Sequence, residues 1–102
     1  VRKAPALSGP DADDRPWDPD EPRGPALEAV EPAPEQIALA HRALAATPGD
    51  AGQLLYARVD MVTGPEGRPL LMELELTEPS LFFENVPGSE VRLAAAIAAR
   101  LG

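Results

Sequence analysis

Three carboxylates in the second half of the sequence have the spacing of a site that binds a divalent cation. Glu73 and Glu75 are separated by one residue, and Asp60 lies upstream of them beyond a turn-forming segment. Side chains alternate between the two faces of a β-strand, so residues two apart share a face. The three carboxylates would therefore meet on one face if their segments pair as neighbouring strands, with Arg58 beside them.

The segment 54–76 predicts an antiparallel β-hairpin. Two stretches in it alternate apolar and polar side chains, and the Gly and Pro residues between them are typical of a turn. A turn centred on Glu66 and Gly67 places Asp60 opposite Glu73 and makes Arg58–Glu75 the next cross-strand pair of charges. Directly opposed side chains have Cβ atoms about 5 Å apart. The hairpin would thus crowd three carboxylates and one arginine into a small patch.

Such a patch needs neutralisation, because like charges directly opposite each other destabilise a sheet. Either a cation binds there or one carboxylate takes up a proton. Zinc sites usually contain His or Cys, but the sequence has no Cys and its one histidine, His41, lies elsewhere. Calcium prefers more oxygen ligands than this patch offers. Mg²⁺ held by a few carboxylates and by the phosphates of a nucleotide suits the pattern best.

A simpler interpretation of the same pattern stays open. A charged hairpin face is most often the solvated face of an antiparallel sheet. Two details weigh against it: the three charges are all acidic, whereas a solvated strand normally mixes Lys, Thr and Ser, and the apolar segment 81–83 follows closely. The second detail predicts packed surroundings for the charged patch.

Two predicted helices flank the hairpin. Pro34 suits a first helical turn, and residues 35–47 are rich in good helix formers. Residues 89–101 predict a second helix, with Ser89 as its N-cap and Gly102 just beyond its end. Each has an apolar stripe at helical spacing that would face a core: Ile37, Ala40 and Leu44 in the first, and Val91, Ala94, Ala98 and Leu101 in the second.

Residues 1–34 differ from the rest of the chain in being rich in proline and acidic residues. Proline removes backbone donors and fixes φ, so this stretch cannot sustain a helix or a central strand. We expect the tail of a strand at its start and then a long irregular loop. Together the segments predict an α+β fold in which an antiparallel hairpin packs with two helices.

Length and charge narrow the function classes. The 102 residues suffice for one small domain, and the opening Val suggests the C-terminal portion of a longer protein whose upstream domains are missing. A formal charge of −8 argues against nucleic acid and anionic membranes as partners. No apolar run approaches the roughly 20 residues of a membrane span. We therefore expect a cytoplasmic protein.

The segment 56–82 resembles the glutathione-synthetase-like branch of the ATP-grasp ligases. The resemblance lies in the run Arg58-Val59-Asp60, a short hairpin, and then the run from Met72 to Ser80 with its Glu-x-Glu pair. Many members of that family have Asn where this chain has Glu75. Over its full extent the resemblance covers roughly residues 1–101 and implies the C-terminal subdomain of an ATP-grasp fold.

The resemblance implies a reaction and a set of roles. The reaction is ATP-dependent ligation of a small carboxylate to an amine (or thiol) through an acyl phosphate, with ATP and Mg²⁺ as cofactors. Asp60, Glu73 and Glu75 would be the metal ligands. Arg58 and Arg2 would be catalytic, and Lys3 and Leu74 would contact the nucleotide. The full-length protein could form homo-oligomers, and the 102 residues alone would not turn over substrate.

Two further roles and two rival functions complete the expectations. Arg15 or Arg23 could approach substrate from the proline-rich loop, although solvated arginines there are as common. The first rival function is a non-catalytic acidic α+β module that binds a basic partner or a lone divalent ion. The second is a structural fragment whose acidic face serves only solubility.

Overall fold

The computed structural model describes residues 1–3 and 27–102 of the chain. Most of the loop predicted for residues 5–34, including Arg15, Trp17 and Arg23, lies outside the described residues. The helices and strands are, in chain order, β1 (Arg2–Lys3), β2 (Leu27–Glu28), α1 (Pro34–Ala45), β3 (Arg58–Thr63), β4 (Pro69–Glu75) and α2 (Ser89–Leu101). Two helices and an antiparallel hairpin confirm the small α+β fold predicted from the sequence.

A short strand pair joins the start of the chain to the segment before α1. Strand β1 pairs antiparallel with β2, with Arg2 opposite Glu28 and Lys3 opposite Leu27. The predicted strand tail at the start of the chain is therefore correct. Strand β2 was not predicted, because two residues in a proline-rich segment have no detectable period.

Helix α1 begins where the sequence predicted and ends earlier. Pro34 is its first residue, and the Gln36 side chain accepts a hydrogen bond from the Ala33 backbone N–H at 2.7 Å. The helix ends at Ala45 rather than at residue 47, because the Thr47 N–H bonds to the Leu44 carbonyl in a tighter turn. Helix α1 packs against β4, which places it beside the hairpin.

The hairpin has the predicted register over the charged residues and a bulge next to them. Asp60 lies opposite Glu73, whereas Met61 lies opposite Leu71, so Met72 is the extra residue of the bulge. The two strands are also shorter than the predicted span of 54–76, since residues 54–57 do not pair. The bulge leaves Met72 61% exposed, although the alternation placed it on a core-facing surface.

Helix α2 spans the predicted residues but turns a different face to the chain. Its N-cap is Gly88, at φ 87°, and not Ser89, which is the first helical residue and donates a hydrogen bond from Oγ to the Val86 carbonyl. The predicted apolar stripe points outward: Val91 is 64% and Leu101 84% exposed. The opposite face of α2 contacts the rest of the chain, because Arg100 donates hydrogen bonds to the backbone carbonyls of residues 52–54.

The core predicted behind these elements is thin. Within residues 27–102 no side chain is fully buried, and Ile37, predicted to face a core, is 45% exposed. No helix in the described part of the chain is long and apolar enough to cross a membrane. The hairpin is therefore held by strand pairing and not by fully buried side chains of residues 27–102.

Candidate functional site

The hairpin brings the four predicted charged residues together on one face. The Asp60–Glu73 and Arg58–Glu75 pairs are direct neighbours across β3 and β4. Because residues two apart on a strand share a face, both pairs project from the same side of the hairpin. The bulge follows at Met72, beyond these pairs, and leaves their alignment intact. We call these four residues the charge cluster.

Arg58 is the centre of the charge cluster. Its Nε and Nη2 donate hydrogen bonds to the two carboxylate oxygens of Asp60, each at 3.0 Å, in the bidentate geometry that suits a guanidinium. Its Nη2 also lies 2.7 Å from Glu75 Oε2 and 3.7 Å from Glu73 Oε2. One nitrogen therefore marks the point on which all three carboxylates converge.

The charge cluster is shielded from solvent more than a surface ion pair is. The side chains of Arg58, Asp60 and Glu75 are 22%, 24% and 30% exposed, while Glu73, at the rim, is 54% exposed. This shielding agrees with the packed surroundings expected from the apolar segment 81–83. It also strengthens the charge interactions, because water screens them less.

The loop after β4 provides part of that shielding. Arg58 Nη1 donates a hydrogen bond to the Ser80 carbonyl at 3.4 Å, and the guanidinium carbon lies 5.6 Å from the centroid of the Phe82 ring. A cation over an aromatic face is attracted by the ring. Phe82 adopts a left-handed backbone conformation, φ 52° and ψ 41°. Ser80 and Phe82 thus hold the side of Arg58 that faces away from the carboxylates.

These contacts of Ser80 and Phe82 were missed from the sequence, which predicted only packed surroundings from the apolar segment 81–83. A carbonyl contact has no signature in the residue type, because every residue has a carbonyl. A signal for Phe82 did exist: it lies seven residues after Glu75 in a loop containing Pro79, close enough to fold back over the hairpin.

The surroundings of Arg58 favour its protonated, positively charged state. The hydrogen bonds it donates to Asp60 raise the pKa of the guanidinium above its usual value, and the charges of Asp60, Glu75 and Glu73 act in the same direction. Partial burial opposes this shift and is outweighed. Arg58 is therefore a cation within the charge cluster and neutralises part of its negative charge, which is one of the two outcomes that the sequence left open.

The donor set of the charge cluster suits Mg²⁺ by its chemistry, since it offers three carboxylates and no softer ligand. Its arrangement is not that of a ready-made metal centre. Within residues 1–3 and 27–102, no group of three or more His, Cys, Asp or Glu side chains is positioned to hold a metal ion. The point where the carboxylates converge is taken by Arg58 Nη2, so the metal-ligand roles of Asp60, Glu73 and Glu75 stay predictions.

The comparisons with known proteins give one partial match. The chain is similar to the cycloserine biosynthesis protein DcsG of Streptomyces lavendulae, with 41% identity over 70 residues. The matched region covers 66% of this chain and 23% of DcsG, so the chain spans less than a quarter of that relative's length. No protein-family model matches the chain, and no solved structure matches it significantly.

The remaining predicted site residues are Arg2, Lys3 and Leu74. Arg2 and Lys3 belong to β1, which pairs with β2 and not with the hairpin. Leu74 is half-buried opposite Val59, and strand alternation places it on the reverse face of the hairpin from the carboxylates. The structure thus brings together the four residues of the charge cluster and does not bring Leu74 to them.

A cavity of about 440 Å³ lies at the other end of the hairpin, between α1 and the turn. It is an open depression whose charged lining residues are Glu35, Arg42, Glu66 and Arg68. None of the four charge-cluster residues lines it. The mixed charges in its wall do not select a ligand of either sign, so the charge cluster remains the candidate site.

Proposed function

We propose that this chain is the metal- and phosphate-facing part of an ATP-dependent ligase that joins a small carboxylate to an amine (or thiol) through an acyl phosphate. The observation that carries the proposal is the convergence of Asp60, Glu73 and Glu75 on one point, from adjacent strands and on a shielded face. The Arg-x-Asp and Glu-x-Glu runs stand in the order found in the glutathione-synthetase-like ATP-grasp ligases.

The similarity to DcsG supports an enzymatic role. By its name, that protein takes part in making a small molecule, cycloserine. Assembly of small molecules commonly requires activated carboxylates, and ATP-dependent ligases supply them. The matched region is a minor part of DcsG, as expected if the chain is one portion of a multi-part enzyme. The proposal therefore assigns the complete reaction to the full-length protein, acting in the cytoplasm.

In this proposal the chain's residues act by position and charge, since phosphoryl transfer needs little covalent help from a protein. Mg²⁺ bound with ATP would offset the negative charge that develops on the phosphates. Asp60, Glu73 and Glu75 would hold that ion through hard carboxylate oxygens. Before the ion binds, Arg58, supported by Phe82, would orient and partly neutralise the carboxylates.

A second candidate function, a non-catalytic interaction module, is favoured by the outer face of α2. Val91 and Leu101 there are 64% and 84% exposed, and large exposed apolar side chains in a row are typical of surfaces that contact another protein. In that case the charge cluster would be a structural ion-pair network. Nucleotide binding separates the two functions.

Calorimetric titration of the full-length protein with a non-hydrolysable ATP analogue tests the proposal. We expect binding that requires Mg²⁺ and that is lost after chelation with EDTA. The variant E73Q should weaken the Mg²⁺-dependent part of binding, while the matched control E66Q, at the exposed turn, should leave it unchanged. Equal nucleotide affinity with and without Mg²⁺ would remove the ligase assignment and leave the interaction module.

A further inference from the structure

The most informative feature of the charge cluster is that its central position is already filled. Arg58 Nη2 lies 3.0 Å from Asp60 Oδ2, 2.7 Å from Glu75 Oε2 and 3.7 Å from Glu73 Oε2. These are the oxygens that the proposed function assigns to a divalent cation. A guanidinium nitrogen and a metal ion cannot share that point.

We propose that Arg58 is a built-in competitor of the divalent cation: it neutralises the three carboxylates while no metal is bound, and metal binding requires its guanidinium to withdraw from them. This inference rests on the proposed function, because it concerns the same carboxylates. It adds an internal occupant of the metal position and predicts that removal of Arg58 tightens metal binding.

The competition follows from distance and charge. Mg²⁺ binds oxygen at about 2.0–2.1 Å in near-octahedral geometry, so an ion that uses the oxygens now around Nη2 would lie close to that nitrogen. At such a separation the two positive charges repel, and partial shielding from water strengthens the repulsion. The carboxylates must also turn from the guanidinium to the ion. Each hydrogen bond between a carboxylate and Arg58 must therefore break before that carboxylate can bind the metal ion, which weakens metal binding.

The contacts on the other side of Arg58 indicate where it would go. Nη1 bonds to the Ser80 carbonyl, and the guanidinium lies over the Phe82 ring. These contacts do not involve the carboxylates, so Arg58 can leave the charge cluster centre and stay attached to the loop after β4. Metal binding would then draw Arg58 toward Ser80 and Phe82.

The test is direct Mn²⁺ binding, read from the electron paramagnetic resonance signal of the free ion, with Mn²⁺ as the probe for the Mg²⁺ position. The full-length protein is compared with its R58M variant, which removes the competing charge and keeps much of the side-chain volume. We expect R58M to bind Mn²⁺ about fivefold more tightly or better, the scale of a partly shielded ion-pair network of roughly 1 kcal/mol.

The matched control is R68M. It makes the same change in net charge on the same hairpin, but Arg68 is 79% exposed at the turn and pairs only with Glu66 in the part of the chain that the structure describes. We expect its Mn²⁺ affinity to stay within about twofold of the unmodified chain, because exposed charges are screened. Tightening of equal size in both variants would overturn the competition, since general charge would then explain it.

A further variant protects the test against loss of structure. R58K keeps the charge but loses the planar fork that binds Asp60 through two nitrogens, so we expect its Mn²⁺ affinity to lie between those of the unmodified chain and R58M. Far-ultraviolet circular dichroism shows whether R58M keeps the fold. If R58M does not keep the fold, the test rests on R58K alone. The competition then requires that R58K bind Mn²⁺ more tightly than the unmodified protein does.

The possible results distinguish failure of the competition by Arg58 from failure of the proposed metal-ligand roles. Unchanged or weaker Mn²⁺ binding in the folded Arg58 variants would overturn the competition and leave the metal-ligand proposal in place. Absence of Mn²⁺ binding from every variant would overturn both, because the carboxylates would then hold no divalent ion even without their internal cation.

Discussion

The two ends of the hairpin carry the same residue types but differ in exposure to solvent. We call the end with the charge cluster the base and the end with Glu66 and Arg68 the turn. At the base, Arg58 is 22% exposed and reaches three carboxylates, one of them through two hydrogen bonds. At the turn, Arg68 is 79% exposed and lies 3.6 Å from one carboxylate, that of Glu66, itself 78% exposed. Both ends therefore place arginine beside glutamate on a β-hairpin, and only the base forms a network.

The difference shows that surroundings, and not residue type, decide what an arginine–carboxylate contact does. An exposed pair gains little, because water screens the charges and two long side chains lose freedom. At the base, strand pairing fixes the charged side chains and the loop after β4 covers them. The turn contributes through its backbone instead: Glu66 and Gly67 both have positive φ, 60° and 74°.

The largest expected effect is that of Glu73→Gln on turnover by the full-length enzyme. Glu73 is the charge-cluster residue most exposed and farthest from Arg58, so its loss should lower the free energy of unfolding by less than about 1 kcal/mol. If it binds the metal, turnover should fall on the order of a hundredfold, as for loss of one charged group at a reacting centre. Steady-state kinetics and urea unfolding measure the two quantities.

The control for that variant is Glu66→Gln, which makes the same chemical change at the turn. It should alter neither turnover nor unfolding appreciably. If Glu73→Gln instead lowers activity and stability in proportion, the role of Glu73 is structural. The base would then differ from the turn only in how its side chains pack.

Asp60→Asn should have the largest effect on stability. It weakens the bidentate pair with Arg58 and leaves that guanidinium with Glu75 as its remaining close carboxylate. We expect the free energy of unfolding to fall by about 1–2 kcal/mol, because a hydrogen bond to a charged group contributes roughly 1.5–3 kcal/mol and partial exposure of this pair reduces that contribution. Urea unfolding followed by circular dichroism measures it, and a change as small as that of Glu66→Gln would show that the base network adds no stability.

Gly67→Ala tests the backbone contribution of the turn. Gly67 has φ 74°, which an L-residue with a Cβ atom adopts at a cost, so we expect a loss of about 1 kcal/mol in unfolding free energy. No atom outside its neighbours lies near the added methyl group, so the effect should come from conformation alone. Unchanged unfolding would mean that the turn relaxes freely and does not fix the register at the base.

Local patterns were sufficient to predict the two helices and the hairpin, although not strand β2. Pro34 and the helix formers after it predicted α1, and the length of α2 followed from its composition. The register at the charge cluster followed from period-two alternation, because a one-residue slip would have exchanged the two faces. The bulge at Met72 was not predicted, although the apolar run Leu70-Leu71-Met72 interrupts the alternation that residues 73–76 follow.

The burial of apolar side chains was the property that the sequence predicted least well. The stripe of Val91, Ala94, Ala98 and Leu101 has the period of a core-facing surface, yet it points outward. Periodicity shows that a helix has an apolar face but not which neighbour covers it. The hydrogen bonds from Arg100 to the carbonyls of residues 52–54 orient the opposite face of α2 toward the chain, and they depend on contacts distant in sequence.

The sequence by itself determined which residues share the charged face of the hairpin, because strand alternation and turn position are local properties. It also predicted that the crowded carboxylates need either a neutralising cation or a bound proton. Only the tertiary structure decided which cation is present: Arg58 Nη2 lies at the convergence point because Ser80 and Phe82 hold the guanidinium from the other side. The spacing of Phe82 after Glu75 allowed this contact, but the path of the loop after β4 decided it, and that path depends on the folded chain.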